Sequence, residues 1–499
     1  MTTLASYNAR TGEVLARVPV STAAEVDAAC DAAAAAFADW QASTGAQRAS
    51  LLNALADALE GDRAALVELA DQETALGPVR LNGELDRTSF QLRRFATLAA
   101  QGAAFAVVDD SAVPGAPPAG HPHMQRWSVP LGPVAMFSAS NFPFAFSVLG
   151  GDTASALAAG CPVVVKAHSG HLLLSTRVYS LIIVVLNRLN LPAGLIGLVQ
   201  GAGNDVGVRL VRHPAIAAGA FTGSTRGGSA LAAEARARPR PIPFYGELGS
   251  VNPVIAWPGL LAQDGAAMAA TLAGSITQGC GQFCTSPGVI VLIDSPELAA
   301  DAQAVNDAFV AQLAQSLNAL QPHAMLTQGM RSAFDAALNH WLEQGAQALT
   351  DTAQAPAPAA PRPVLAQVSA DDFISHAALR EEVFGPASLV VRCTSVAQVL
   401  AVLQAVGGSL TVTLWGADAD NATTRALVRG AMNIAGRVLF VGVPTGVAVT
   451  AAQQHGGPWP SSTEPASTSV GDAALQRFLR PVCLQQAPDW LLGHSGQPV

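Results

Sequence analysis

A chain of 499 residues is longer than one ordinary hydrophobic core can fill, so two or three domains are expected. Half of the residues are hydrophobic and 13% charged, and the net charge is −9. No basic patch with interleaved aromatics argues for nucleic acid, and no run of about eighteen apolar residues could span a bilayer. The first residues, Met1 to Ser6, lack the basic-then-apolar pattern of a secretory leader, which points to the cytoplasm. The six cysteines (Cys30, Cys161, Cys280, Cys284, Cys393 and Cys483) are scattered in a way that fits no disulfide framework. Cys280 and Cys284 stand four apart, but no second Cys or His pair nearby completes a zinc site, so no metal is expected.

In chain order, Val26, Ala29, Ala33 and Phe37 recur at helical spacing after Ser21 or Thr22, a plausible N-cap. Leu51, Leu55, Leu59, Leu66 and Leu69 continue the pattern, so the first hundred residues read as mostly helical. A Pro/Gly-rich stretch, Val113 to His123, interrupts, and Met124 to Val129 alternates like an exposed strand or hairpin arm. Short apolar strands then alternate with helices. Strands are expected at Val134–Phe137, Pro162–Lys166, Leu195–Val199, Ile216–Phe221 and Phe244–Leu248. Helices fall between them at Asp152–Ala159, His171–Leu189, Asp205–Val211 and Thr225–Ala235. That alternation predicts a parallel, doubly wound sheet with ligands at the carboxyl ends of its strands.

A second alternating set follows, with strands at Val289–Ile293, Ser388–Val391 and Leu410–Thr413 and a helix at Leu298–Leu317. Ala355 to Pro363 reads as a surface loop within it. The tail predicts a short helix at Ala473–Leu479 and an apolar Pro481–Leu484 able to pair as a strand with another subunit.

Three features carry chemistry. Cys284 lies in Gly281-Gln282-Phe283-Cys284-Thr285-Ser286-Pro287-Gly288, a turn-rich junction ahead of a buried strand. A thiol there is well sited as a nucleophile, although free cysteine is also a common packing residue. Gly201-Ala202-Gly203-Asn204-Asp205-Val206-Gly207 and Phe221-Thr222-Gly223-Ser224 each follow a strand and open a helix, as phosphate-cradling loops do and as plain turns also do. Lys166 ends a strand beside them and is the one lysine among 27 basic residues. Its ammonium could meet a ribose or phosphate, or simply snorkel to solvent. Glu247, between Gly246 and Leu248-Gly249, is either a base with a raised pKa or a partly exposed strand-end carboxylate.

Taken together, Asn141-Phe142-Pro143, Lys166, Phe221-Thr222-Gly223-Ser224, Glu247-Leu248-Gly249, Gly281-Gln282-Phe283-Cys284, Glu382-Val383-Phe384-Gly385-Pro386 and Asn433 resemble, in order, the motifs of the aldehyde dehydrogenase superfamily. The resemblance covers essentially the whole chain. The stretches Gly151–Leu157, Pro444–Val447 and His455-Gly456-Gly457-Pro458-Trp459-Pro460 carry a finer likeness to bacterial 2-oxoglutarate semialdehyde (2,5-dioxopentanoate) dehydrogenases and to NADP-preferring fatty-aldehyde relatives. It implies an α/β fold with a Rossmann-type cofactor domain (1–112 and 130–248, with 448–475 returning to it). It further implies an α/β catalytic domain (249–447) and an oligomerisation arm (113–129 and 476–499).

The resemblance also implies a mechanism. Cys284 attacks the aldehyde, Asn141 and the Cys284 backbone N–H hold the oxyanion, hydride passes to NAD or NADP, and Glu247 activates water against the thioester. Lys166 and Glu382 would bind the cofactor riboses. Ser140, Phe221, Gly223, Ser224, Leu248, Gly249 and Phe384 would line the cofactor, and Phe142, Phe283 and Trp459 would wall the substrate. Where many NAD-preferring members carry glutamate this chain has Ser169, which removes an anion from the path of a 2′-phosphate, and His168, Arg209 or Arg212 could lend it hydrogen bonds. NADP is therefore expected to serve, with NAD also used. A dicarboxylic semialdehyde is favoured over a fatty aldehyde, with no anion clamp evident. A non-catalytic scaffold is disfavoured by joint retention of Cys284, Glu247, Asn141 and Lys166, and an acyl-phosphate or CoA-acylating relative by the water-activating glutamate that Glu247 supplies. An exposed arm needs cover, so a homodimer or homotetramer is expected.

Overall fold

The computed structural model describes residues 2–321, 323–351 and 359–492. It opens with a hairpin, β1 (Thr3–Tyr7) against β2 (Val14–Pro19), which the helical reading of this region did not anticipate. Each strand buries a single residue, so no clean period of two marks it in the sequence. Four helices follow: α1 (Ala23–Trp40), α2 (Gly45–Gly61), α3 (Arg63–Thr74) and α4 (Pro78–Gln101). Capping boxes start the first two, Thr22 with Glu25 and Thr44 with Gln47, each pair satisfying otherwise orphaned amides. The buried face of α1 is Val26, Cys30, Ala33, Ala36 and Trp40, and Phe37 lies half-buried beside it.

A small antiparallel sheet comes next, β3 (Val108–Asp110) and β4 (Met124–Pro130), with the tail strand β17 (Leu479–Gln485) on the other side of β4. Leu479 faces Pro130 and Gln485 faces Met124. The expected partner of the tail was another subunit; the strand instead pairs within its own chain, because the arm and the tail both leave the core beside Phe478, whose carbonyl accepts from Leu131 N–H at 2.9 Å. The predicted helix before it is a 3₁₀ segment, Asp472–Phe478.

The first large sheet is entirely parallel, ordered β7 (Ile196–Val199), β6 (Val163–Lys166), β5 (Val134–Phe137), β8 (Ala218–Thr222), β9 (Phe244–Glu247). Helices α5 (Gly151–Ala158), α6 (Leu172–Arg188), α7 (Asp205–Arg212) and α8 (Thr225–Arg236) connect its strands. Both faces are covered, so Val134, Ala135, Val163, Val164 and Val165 are completely buried. Burial on both faces is why these strands read as unbroken apolar runs, and each such valine contributes roughly 1.5–3 kcal/mol.

The second sheet has seven strands, ordered β12 (Gln347–Ala348), β13 (Val364–Ser369), β14 (Ala387–Cys393), β11 (Val289–Ile293), β10 (Val254–Ala256), β15 (Ser409–Trp415), β16 (Ala435–Leu439). All neighbours are parallel except β12 with β13. The helix expected from Leu298 begins at Ala302. Of the Ala355–Pro363 loop, residues 355–358 lie outside the described residues, and Arg362-Pro363 lead into β13. No described helix is long and apolar enough to cross a membrane.

Candidate active site

In the five-stranded sheet the chain runs outward from β5 in both directions, which opens a crevice at the carboxyl ends of the strands. A cleft of about 530 Å³ occupies it. Every strand of that sheet contributes lining: Phe137 to Asn141 after β5, Lys166 and His168 after β6, Gly203 and Asn204 after β7, Phe221 to Ser224 around the end of β8, Glu247 and Leu248 after β9. Cys284, Glu382 and Phe384 close it from the seven-stranded side. Gly249 stands beside Glu382, since a methyl group at 249 would come within 2.7 Å of Oε2.

The cleft's chemistry fits a dinucleotide. Ser224 Oγ caps α8 by accepting from Gly227 N–H, leaving the helix's positive end turned to the cleft. Thr222 Oγ1 is buried with no protein partner. Lys166 makes no ion pair among the described residues, and burial lowers its pKa. Burial pushes the Glu382 carboxyl up to about 8, so at neutral pH it keeps a proton and can donate as well as accept.

Around the nucleophile the backbone is tightly specified. Gly279 and Cys280 both take left-handed conformations ahead of it. Asn252, itself at φ 46, donates Nδ2 to the carbonyls of Cys284 and Ser286, both at 2.9 Å, and Oδ1 accepts from Ser250 and Thr411. Asn141 Nδ2 donates to Gln282 O at 2.9 Å, tying the loop after β5 to the nucleophile's own loop. One of its two amide hydrogens is thereby spent, and the second is available to the cleft.

Three groups converge at the bottom. His455 Nε2 lies 3.5 Å from Cys284 Sγ and 2.9 Å from Glu247 Oε1, and Ser469 Oγ donates to Glu247 Oε2 at 2.5 Å. The His455–Glu247 approach is close but out of line for donation, so Oε1 has no hydrogen-bond partner. Burial, then the charge of Glu247, push the Cys284 thiol well above its ordinary pKa; the resting sulfur is protonated. Glu247 departs from the raised pKa its apolar sequence context suggested. Burial does push it up, but the neighbouring His455 and the hydrogen bond from Ser469 bring it below the usual carboxylate range.

Beyond Cys284 lies a second cavity of about 180 Å³, lined by Arg87, Phe142, Phe146, Phe283, Thr285, Thr445 to Val447 and His455. Phe142 meets Phe146 and Phe283 edge-on, at 5.3 and 5.1 Å between ring centroids, and the Arg80 guanidinium lies 4.7 and 4.4 Å from the centroids of Phe142 and Phe283. Arg87 reaches in from α4, donating Nη1 to Val447 O, while its buried Nε and Nη2 have no partner.

Several expected residues fall elsewhere. Trp459 is 59% exposed and lines neither cavity. Ser169 is exposed past the rim of the cleft, where the backbone has already turned toward α6; His168 takes the lining position, and burial holds its ring well below the ordinary imidazole pKa. Arg209 and Arg212 are held by Asp27 and Glu234 and do not line the cleft. Cys280 faces His323 O, away from Cys284, and burial raises its thiol to about 12. The sequence reading did not single out His455, Arg87 or Asn252. The available signal for His455 was the pair Gly456-Gly457, where added methyl groups would meet Ser467 O at 2.7 Å and Ser409 O at 2.4 Å, a backbone held close on both sides.

Comparison with known proteins matches residues 1–479 to the aldehyde dehydrogenase family. Over 481 residues the chain is 44% identical to alpha-ketoglutaric semialdehyde dehydrogenase 2 of Azospirillum brasilense, covering 95% of this chain and 89% of that one. It is 41% identical over 473 residues to the alpha-ketoglutaric semialdehyde dehydrogenase of Acinetobacter baylyi, covering 94% and 88%. Aldehyde dehydrogenase 21 of Physcomitrella patens, solved in complex with the reaction product succinate, superposes with a TM-score of 0.78 at 21% identity over 97% of this chain and 94% of that one, a likeness of fold. With the motifs in order along the chain and the thiol, carboxylate and dinucleotide cleft brought together in space, the protein belongs to the aldehyde dehydrogenase family and oxidises aldehydes with NAD(P).

Proposed function

We propose that the substrate is 2-oxoglutarate semialdehyde, oxidised to 2-oxoglutarate. The observation that carries this reading is Arg87: a guanidinium with buried, unpartnered Nε and Nη2 in the small cavity behind Cys284. An unpaired buried cation is costly, and a carboxylate at the far end of the substrate would satisfy both donors at once. The relatives of Azospirillum brasilense and Acinetobacter baylyi, 44% and 41% identical, carry that substrate in their names. A fatty aldehyde would leave the guanidinium unmet.

The chain's own groups divide the chemistry as follows. His455 Nε2 accepts the Cys284 proton as Sγ bonds to the aldehyde carbon and returns it when the sulfur leaves, so the Glu247 carboxylate stays ionised for the hydrolytic step. Asn141 Nδ2 and the Cys284 backbone N–H hold the oxyanion, and one such donor is commonly worth about 3 kcal/mol. The nicotinamide cofactor, when bound, supplies the acceptor for the aldehyde hydride. Glu247 then takes a proton from the water that attacks the thioester on Sγ, and the thiol is regenerated. Lys166, Glu382, Thr222, Ser224 and Phe384 would hold the cofactor, with Ser140, Phe221, Gly223, Leu248 and Gly249 shaping its bed. With no carboxylate at Ser169, both NADP and NAD should be accepted.

We assign 1–112 and 130–248, with 448–475, to a cofactor domain, supported by Thr463 Oγ1 accepting from Gly246 N–H at 2.8 Å. The catalytic domain is 249–447. The arm at 113–129 and the tail from 476 would form an oligomeric contact in a cytoplasmic enzyme, tested by sedimentation at micromolar concentration. A monomer there removes the contact.

The deciding measurement is kcat/KM for 2-oxoglutarate semialdehyde beside a medium-chain fatty aldehyde, each with NADP. A preference of about a hundredfold for the keto acid, about 2.7 kcal/mol, is expected in the unaltered enzyme and should vanish in Arg87→Met. The reverse preference would make this a fatty-aldehyde enzyme.

A further inference from the structure

The convergence of Cys284, His455 and Glu247 does more than serve one reaction. Their ligand atoms, Sγ, Nε2 and a carboxylate oxygen, all lie within 4.8 Å of one another. Thiolate, imidazole and carboxylate are the three donor types that bind zinc, and three protein donors leave a fourth position for water. With zinc–sulfur near 2.3 Å and zinc–nitrogen near 2.05 Å, a tetrahedral angle separates sulfur from nitrogen by about 3.5 Å. The separation of Sγ and Nε2 is 3.5 Å. Nε2 and Oε1, now 2.9 Å apart, would open by about 0.4 Å to reach tetrahedral spacing. Oε1 is buried and without a hydrogen bond, so a turn of the carboxylate about the oxygen held by Ser469 gives up no bond of Oε1.

Surrounding bonds hold the backbone that carries Cys284 and His455 and one oxygen of the Glu247 carboxylate. Asn252 holds the Cys284 carbonyl, Thr468 Oγ1 accepts from His455 N–H at 2.8 Å, and Ser469 holds the other Glu247 oxygen. Such outer contacts orient ligands in metal sites. Sequence reasoning considered only near neighbours of Cys284 and Cys280, whereas His455 and Glu247 arrive from far along the chain.

We propose that this cluster is a reversible inhibitory site for a thiophilic divalent cation of the zinc class. Binding displaces the thiol proton to solvent and forms a sulfur–metal bond, leaving the sulfur unable to attack a carbonyl. Ligation of Glu247 removes the deacylation base at the same time. Metal and aldehyde therefore compete for Sγ. Thiolate and carboxylate balance the metal's two charges. Arg87, in the adjoining cavity, weakens binding and keeps it reversible. Magnesium and calcium, which prefer oxygen ligands, should not bind. The inference is independent of which aldehyde is oxidised.

The test uses cobalt(II) as a spectroscopic probe on the metal-free full-length enzyme. One cobalt per chain should give a thiolate-to-cobalt charge-transfer band with the strong visible bands of four-coordination. Zinc should abolish both and inhibit competitively with aldehyde, with recovery on adding chelator. C284S should lose the charge-transfer band, and E247Q and H455A should each weaken cobalt binding at least tenfold. C483S, at an exposed thiol outside the site, should leave spectrum and inhibition unchanged. Weak six-coordinate bands, or binding unchanged in both C284S and H455A, would overturn the proposal.

Discussion

The cofactor cleft and the cavity behind Cys284 share a nucleophile and are built in opposite ways. The cleft's floor is assembled from the carboxyl ends of five strands that follow one another along the chain, each end carrying its own short motif, and only its closing side comes from Cys284, Glu382 and Phe384. The cavity draws on four distant places: α4, the loop after β5, the nucleophile's loop, and the segment around Thr445 and His455. A site written in consecutive turns tolerates change in its walls, because backbone and helix ends do much of the binding. A site made of converging side chains stakes its specificity on single residues, and Arg87 is one.

Substitutions can separate the two. The largest effect belongs to the shared atom: C284S should abolish aldehyde oxidation, by at least about ten-thousandfold in kcat, with cofactor affinity by fluorescence titration unchanged. Cofactor binding lost along with activity would mean that the regions are not separable. Next, E247Q should cut steady-state turnover by roughly a thousandfold yet leave one equivalent of reduced cofactor in a stopped-flow burst, and full turnover in that variant would remove Glu247 as the deacylation base. On the cleft side, K166A should raise the cofactor dissociation constant about ten- to hundredfold, the worth of one or two charged hydrogen bonds, while the ratio between the two aldehydes stays fixed.

The smallest effect is on stability. Glu382 is raised from 4.5 to about 8, so folding favours its neutral form. The associated stability is fully present below pH 4.5 and is lost as pH rises through 8. The full shift corresponds to at most about 5 kcal/mol, and water in the cleft screens much of it. E382Q should therefore stabilise the cofactor-free protein at pH 9 by roughly 1–3 kcal/mol, with little change at pH 4.5, as read by urea denaturation. Equal effects at both values would dissociate the burial of Glu382 from its ionisation.

The same contrast explains what could be read from the sequence. The five parallel strands announce themselves because burial on both faces leaves uninterrupted apolar runs, and Lys166 and Glu247 sit where those runs end. The hairpin of β1 and β2 is silent because each strand buries one residue. His455 and Arg87 are harder to read for a different reason: the glycine pair after His455 marks a tight backbone but no role for the ring, nothing local sets Arg87 apart from a surface arginine on a helix, and only the folded chain brings them to the nucleophile's surroundings. Trp459 failed in the other direction, since its position beside a motif says nothing of which way its side chain faces. The tail's apolar character and its grouping with the arm were legible, but not that the two pair within one chain or in which register.

One consequence lies in the glycines on either side of the nucleophile. Gly281 takes φ 66, and a methyl group there would come within 2.2 Å of the carbonyl of Gly385; one at 385 would meet the Phe334 ring at 2.2 Å. The loop that presents the thiol and the loop that carries Glu382 and Phe384 therefore touch backbone to backbone, with no side chain between them to act as a cushion. Two parts that meet without clearance share one tolerance. Whatever holds the second loop still also sets the aim of the sulfur.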